Sequence, residues 1–310
     1  MKMRELLTFG KTNMILPKSV IERKKMAWAY AFVASAVLFF LLVNILPMLW
    51  NFGLSLGRYN LLSQERVFVG LGNYRELIRD PVFIQSLINT LILAGIVLPV
   101  SLVLSLGLAL LLNEVRRGAG LFRTIYFAPV ITSIVAVGYI WSWLYEPNFG
   151  LFNQLLIWLG LPTSAFLKNP DVAIFAIAAV RIWKELGFQI VIFLAGLQAI
   201  PNQFNEAAKV DGAGPWQRFL YVTLPLLNPT LVFLAVIGLI RVLQTFALIY
   251  IMTEAGGPLN RTRTLVYEIE ETAFRMYRMG YGAAETIVLF LFILGVTLLQ
   301  IKVLSRRIEY

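Results

Sequence analysis

The chain contains no cysteine and no histidine. The first absence excludes disulfides, thiolate nucleophiles and thiolate metal sites. The second removes the commonest general base and metal ligand. Charge is scarce as well. Asp, Glu, Lys and Arg make up 14% of the 310 residues, against about 25% in a soluble domain. No Gly-x-x-x-x-Gly-Lys-Ser/Thr segment occurs, so the chain brings no phosphate-cradling loop of its own. What is abundant is apolar: 59% of the residues are hydrophobic and the mean hydropathy is +0.75. These features describe an integral membrane protein. They supply no nucleophile–base pair and no metal cluster, so a membrane-embedded enzyme has no support. The net charge of +10 is read as basic loops on one side of a membrane rather than as a nucleic-acid surface.

A spanning helix needs about 20 apolar residues. Six stretches qualify, approximately 26–50, 86–112, 125–145, 172–200, 230–252 and 282–304. An even number puts both termini on one side. One set of loops comprises 1–25, 113–123, 201–229 and the C-terminal tail. It holds 15 Lys and Arg, with Lys302 counted in the tail, against 9 in the other set. The positive-inside rule therefore places both termini in the cytoplasm. The strongest markers are Arg23-Lys24-Lys25 and Arg116-Arg117. The expected organisation is a basic cytoplasmic tail over 1–25, a transmembrane domain over 26–304 and a short cytoplasmic tail over 305–310. The apolar run after residue 25 is too long for a signal peptide and lacks a following cleavage site.

Two outer segments carry patterns. Residues 68–74, FVGLGNY, read as a Gly-rich turn with aromatic anchors; no βαβ context makes them a dinucleotide loop. Residues 155–161, LLIWLGL, are too short to span and suit the interface. Pro99 and Ser101 in the second span, and Pro129, Thr132 and Ser133 in the third, are read first as helix packing.

The fourth span is the most informative. Arg181, Lys184 and Glu185 interrupt an otherwise apolar helix. A charge at bilayer depth costs about 2.5–3.5 kcal/mol on insertion scales, so such groups face a cavity or a partner. Arg181 and Glu185 are four apart and pair on one face; Lys184 points the same general way, and Gly187 and Phe188 follow one turn on. The fifth span adds Arg241 and Gln244, and the sixth adds Glu285 near its outer end. This is a polar pathway or a structural ion-pair network, and the pathway is the preferred reading.

Between spans four and five lies EAAKVDGAGPWQRFLYVTLP, residues 206–225. Asn202 suits an N-cap, and the helix that follows has Glu206 near its positive end. Gly212 and Gly214 stop that helix, and Pro215 starts another. Ala207 and Ala208 leave a flat face for close docking. Glu206-Ala207-Ala208, Asp211-Gly212-Ala213 and Leu224-Pro225 also resemble the EAA signature of ABC importer permeases. Residues 68–74, Trp183–Phe188 (WKELGF) and Thr253 to Pro258 are similar to the carbohydrate branch of that family, which includes maltose, lactose and glycerol-3-phosphate importers. The plain C-terminal tail looks like the first permease of a pair.

The resemblance implies an all-α membrane protein of type I importer fold, with six helices and a cytoplasmic coupling helix in the loop 201–229. It implies that Glu206, Ala207, Ala208, Asp211 and Gly212 couple to a separate ATPase. Arg181, Lys184, Glu185, Phe188, Arg241 and Gln244 then fall near positions that contact sugar in the maltose importer. Charges stand here where that permease has small, apolar or amide residues, which favours an anionic solute such as a sugar phosphate or uronate. The implied partners are a second permease of different sequence, an ATPase dimer carrying ATP and Mg, an extracytoplasmic solute-binding protein and membrane lipid, with no nucleic acid. The chain itself would have no catalytic residues, no metal and no bound cofactor. The implied location is the inner membrane of a bacterium or archaeon. The rival is a stand-alone ion-coupled transporter or channel using Arg181, Glu185 and Arg241 as a relay. It explains the buried charges but gives no reason for the 206–225 loop.

Overall fold

A computed structural model describes residues 20–114 and 118–304. The expectations for 1–19, Arg116-Arg117 and the tail after residue 304 lie outside the described residues. The chain divides into two compact units, residues 1–53 and 54–310.

In the first unit, α1 (Val20–Phe40) runs through a π-helical turn, Leu41–Ile45, into α2 (Leu46–Ser55), whose last two residues belong to the second unit. Its large apolar side chains, such as Trp28, Phe32 and Phe39, are exposed. A helix apolar all round is a span rather than a surface helix of a soluble domain.

The second unit opens with a hairpin, β1 (Gly57–Tyr59) and β2 (Arg66–Phe68), paired antiparallel with Gly57 opposite Phe68. The glycine-rich turn then leads into α3 (Gly72–Leu77). Asn73 is buried and donates to the carbonyls of Ser55 (2.8 Å) and Gly57 (3.0 Å), while the Tyr74 hydroxyl meets the Ser55 hydroxyl at 2.7 Å. Asn73 and Tyr74 thus hold this turn; Phe68, expected as an anchor, is exposed.

The long helix α4 (Pro81–Glu114) has proline at its first position, and Asp80 accepts from the backbone of Val82 at 2.8 Å. At about 1.5 Å per residue its 34 residues cover about 51 Å. The third span differs from the expected single helix. It consists of α5 (Ala119–Ile131) and α6 (Ile134–Leu144), bent by 99°. Thr132 and Ser133 both take extended ψ values, 138° and 134°, and two such residues end any helix. The short α7 (Leu151–Trp158) keeps Leu155, Ile157 and Trp158 exposed.

Next, α8 (Ala173–Gln198) carries the three charges. The 201–229 loop follows as α9 (Asn202–Val210), α10 (Pro215–Arg218), a π-helical turn Phe219–Thr223, and α11 (Leu224–Leu226). Pro201, not Asn202, occupies the N-cap, so the helix starts one residue earlier than expected. Glu206 consequently sits at mid-helix rather than near the positive end. The fifth span is also broken, into α12 (Asn228–Leu243) and α13 (Ala247–Met252). After two 3₁₀ turns come α14 (Leu265–Glu270), a π-helical turn Glu271–Arg275, and α15 (Met279–Leu304).

Among the described residues, three helices are long and apolar enough to cross a membrane: Glu22–Ser55, Pro81–Glu114 and Met279–Leu304. Counting α5 with α6, and Pro215–Leu226 with Asn228–Leu243 (bent by 65°), raises the number to five. Helix α8 is long enough at 26 residues, but Arg181, Lys184 and Glu185 interrupt its apolar run.

The most extensive pairing is α4 against α8. Leu93 and Val97 of α4 meet Ile177 and Val180 of α8, with Val242 and Leu243 of α12 in the same core. A polar clamp crosses this interface: Gln189 accepts from Ser105 at 2.9 Å and donates to Ser101 at 3.1 Å. The loop between α13 and α14 is tied to α4 by Asn89, which donates to the carbonyls of Asn260 (2.7 Å) and Arg263 (2.9 Å). The acidic run that follows is neutralised in place. Glu268 pairs with Arg263, and Glu270 and Glu271 each pair with Arg275 at 3.4 Å. Every buried amide in these contacts meets a partner, as burial away from water requires.

Candidate functional site: a charged cavity and its coupling loop

Six side chains singled out from the sequence converge. Arg181, Lys184, Glu185, Phe188, Arg241 and Gln244 all line one cavity of about 320 Å³. The first four stand on α8, Arg241 on α12, and Gln244 at the end of α12. Val130 and Ile134, flanking the α5–α6 break, complete the wall together with residues 245–248. Glu285 is fully buried in α15 and does not line this cavity.

The charges are not arranged alike. Glu185 bridges two arginines: Oε1 meets Arg181 at 2.9 Å and Oε2 meets Arg241 at 3.4 Å. Arg181 is largely buried and also donates to the backbone carbonyl of Arg241 at 3.1 Å. Arg241 is far more open, its guanidinium stacked 4.4 Å from the centre of the Phe188 ring. Lys184 turns towards α5. Its ammonium contacts the carbonyl oxygen of Pro129 and those of Val130 (3.3 Å) and Thr132 (2.5 Å). These are the last carbonyls of α5, which lack helical partners, and a cation there is favoured by both hydrogen bonding and the helix dipole.

Lys184 is therefore a cap on a broken span. Replacing it with methionine should cost about 1–3 kcal/mol, the price of orphaned acceptors and lost charged hydrogen bonds. Thermal unfolding without solute checks this. A cap lowers the melting temperature in Lys184→Met and regains part of it in Lys184→Arg. A residue that served only as a solute ligand would leave the melting temperature unchanged.

Thr245 was not singled out from the sequence. It lines the cavity, is buried, and its hydroxyl has no hydrogen-bond partner among the described residues. The available signal was its position beside Gln244 at the end of an apolar run.

In the 201–229 loop, Glu206 and Ala207 are exposed on α9, and Ala208 is half-buried. Asp211 is the C-cap, and Gly212 follows with φ +80°. Gly212 donates to the Lys209 carbonyl at 3.1 Å and Ala213 to that of Ala208 at 2.9 Å, the pair of bonds that defines a Schellman end. Val210, Trp216 and Tyr221 are exposed around this knob. The loop is bracketed by the helices that build the cavity. Glu185 lies 13 residues before the end of α8, about 20 Å along the axis, and α12 returns to Arg241.

A helical membrane protein with broken spans, an internal charged cavity and an exposed knob between the cavity helices is the subunit of a solute-translocating machine. The chain belongs to the family described as "Binding-protein-dependent transport system inner membrane component", whose profile matches residues 83–310. It is 35% identical over 250 residues to the sn-glycerol-3-phosphate transport system permease protein UgpA of Yersinia pestis, covering 80% of this chain and 83% of that one. Probable ABC transporter permease proteins of Pyrococcus horikoshii (PH1215; 36%, covering 81% and 86%) and Bacillus subtilis (YurN; 34%, covering 88% and 94%) are similarly related. Among solved structures, a bacterial ABC transporter involved in import of the acidic polysaccharide alginate matches with TM-score 0.81 at 27% identity, covering 93% of this chain and 99% of that one. The same kind of transporter, in complex with an alginate-bound periplasmic protein, matches with TM-score 0.79 at 27% identity, covering 90% and 94%. The protein is a non-catalytic, multi-pass inner-membrane permease of a binding-protein-dependent ABC importer.

Proposed function

We propose that this permease translocates a carbohydrate or related solute by alternating access, and that its cavity is the transfer site. The observation that carries the reading is continuity. The helices entering and leaving the coupling loop, α8 and α12, also hold Arg181, Lys184, Glu185, Phe188, Arg241 and Gln244. A displacement of α9 by an ATPase is thus delivered to the cavity through two rigid helices.

Six spans cross the membrane in this reading, with α8 as the charged one and both termini in the cytoplasm. Glu206, Ala207, Ala208, Asp211 and Gly212 form the surface that docks on the ATPase. ATP and Mg bind that partner dimer. A second permease of different sequence completes the pathway, and an external binding protein delivers the solute. ATP acts by favouring one of two states, since a ligand with equal affinity for both shifts nothing. The relatives import glycerol-3-phosphate and an acidic polysaccharide, and the cationic cavity is consistent with a sugar phosphate or uronate.

The test is affinity purification from native membranes in mild detergent, followed by reconstitution. The expected outcome is recovery of a second permease and an ATPase, with solute uptake that requires ATP and the binding protein. Recovery of the chain alone, active in liposomes without ATP, would establish the ion-coupled carrier instead.

A further inference from the structure

We infer that Arg241 is the residue that reads solute charge, and that Glu185 is the internal anion it surrenders when an acidic solute arrives. This rests on the cavity being the transfer site.

The argument starts from what each cation has left to give. Lys184 spends its ammonium on the carbonyls of Pro129 and Val130 in α5 and of Thr132 at its C-cap. Arg181 is 14% exposed, its Nη2 group is engaged by Glu185 and a backbone carbonyl, and its Nε, though unpartnered among the described residues, is buried away from a solute. Arg241 is 43% exposed and makes one long contact, 3.4 Å, to Glu185, where charge-assisted pairs settle at about 2.7–2.9 Å. A guanidinium carries five N–H donors in a planar fork. The guanidinium carbon rests 4.4 Å from the centre of the Phe188 ring, so the fork is positioned before any ligand binds.

Charge balance points the same way. The cavity lining holds three cations and one carboxylate. A network that only packs helices would close its charge, because unpaired ions are costly at bilayer depth. The excess, together with the unpartnered Thr245 hydroxyl on the same wall, leaves a place for an anionic group flanked by a hydroxyl or ether oxygen. Glu185 already shows which anion fits, since its carboxylate spans both arginines, one oxygen to each. An incoming carboxylate or phosphate monoester takes the weak half of that bridge, at Arg241. Glu185 retains the 2.9 Å half, at Arg181. The exchange keeps every charge paired while the solute is held, and returning Glu185 to Arg241 helps release it. Arg241 is therefore the specificity-determining residue, with Arg181 and Lys184 as its frame.

The test uses the whole transporter, with both permeases and the ATPase, in nanodiscs. Four probes are titrated by calorimetry: D-galacturonate against D-galactose, and sn-glycerol-3-phosphate against glycerol. At least one charged probe should bind about tenfold or more tightly than its neutral partner, the scale of one charged hydrogen bond. Arg241→Gln should reduce that preference to about twofold or less, and Arg241→Lys should keep only part of it. Glu185→Gln removes the competitor and should tighten the charged probe by about threefold or more. Equal binding of charged and neutral probes, no binding of any probe, or an unchanged preference in both Arg241 variants would overturn the proposal. Binding-protein-stimulated ATP hydrolysis in the same nanodiscs reports separately on the importer reading. A coupled complex without charge preference removes only the role of Arg241, whereas an uncoupled complex removes the transfer site beneath it.

Discussion

Gly212→Val should abolish binding-protein-stimulated ATP hydrolysis and solute uptake while the permease still inserts and assembles. Gly212 holds φ +80°, and a Cβ built there would meet nothing within 4 Å. Packing therefore contributes no penalty, and the whole cost is backbone conformation. For an L-residue the left-handed region costs about 1–2 kcal/mol, and β-branching makes it worse. That is small beside a typical stability of 5–15 kcal/mol, so the subunit survives. It is large for a single helix end. To relieve it the chain must abandon the two bonds that close α9, Gly212 to Lys209 and Ala213 to Ala208. Helix α9 then frays at the side that carries Asp211 and faces α10, and its push on the cavity helices is lost. A graded series separates this from a contact effect. Asparagine tolerates the left-handed region and should keep most activity, alanine should be intermediate, and valine should be lowest. Membrane levels by immunoblot and ATP hydrolysis by purified complexes are the two readings. Normal coupling in Gly212→Val would show that the exit of α9 does not transmit motion.

The helix–turn–helix form of the 206–225 loop was legible because its signals are local. Glycine before proline, helix formers before glycine, and proline at a first helical turn act through the backbone of adjacent residues. The charged cavity was legible for another reason: an ion in an apolar run must face something. Arg181 with Glu185, and Arg241 with Gln244, could be grouped by helical spacing alone. What the spacing could not supply was the division of labour. Lys184 shares a face with Arg181, yet its partners are backbone carbonyls on α5, some 50 residues earlier. Backbone carbonyls carry no sequence identity, so no residue pattern announces them. The break that frees them was hidden as well. Pro129, Thr132 and Ser133 read as tolerated packing features, whereas a 99° bend separates α5 from α6. Asn202 and Pro201 illustrate a smaller limit, because either residue suits the start of α9 and only geometry assigns the cap.

The second large effect concerns Gly187, which in the sequence is only the small residue before Phe188. Gly187→Ala should lower thermal stability by about 1–3 kcal/mol and disable transport. A Cβ at this position would run into the backbone carbonyl of Tyr126 and come within 2.6 Å of a Val130 methyl, both on α5. Neither obstacle is the far end of a flexible side chain, so α5 as a whole must retreat from α8. The retreat reaches the cavity by two routes. Val130 is part of its wall, and the carbonyls held by Lys184 belong to the same last turn of α5. Gly95 in α4 provides the control, because a Cβ there meets nothing within 4 Å. Gly95→Ala replaces a poor helix former with the best one and should be neutral or stabilising by up to about 1 kcal/mol. The same substitution in two membrane helices is thus expected to have opposite signs, decided by one backbone contact. Thermal unfolding of the two purified complexes, followed by coupled ATP hydrolysis, gives the comparison. Equal melting temperatures with full coupling in Gly187→Ala would mean that α5 does not rest on α8 at Gly187. The capping role of Lys184 would then lose its geometric basis, because its reach to Pro129 and Thr132 depends on that close approach.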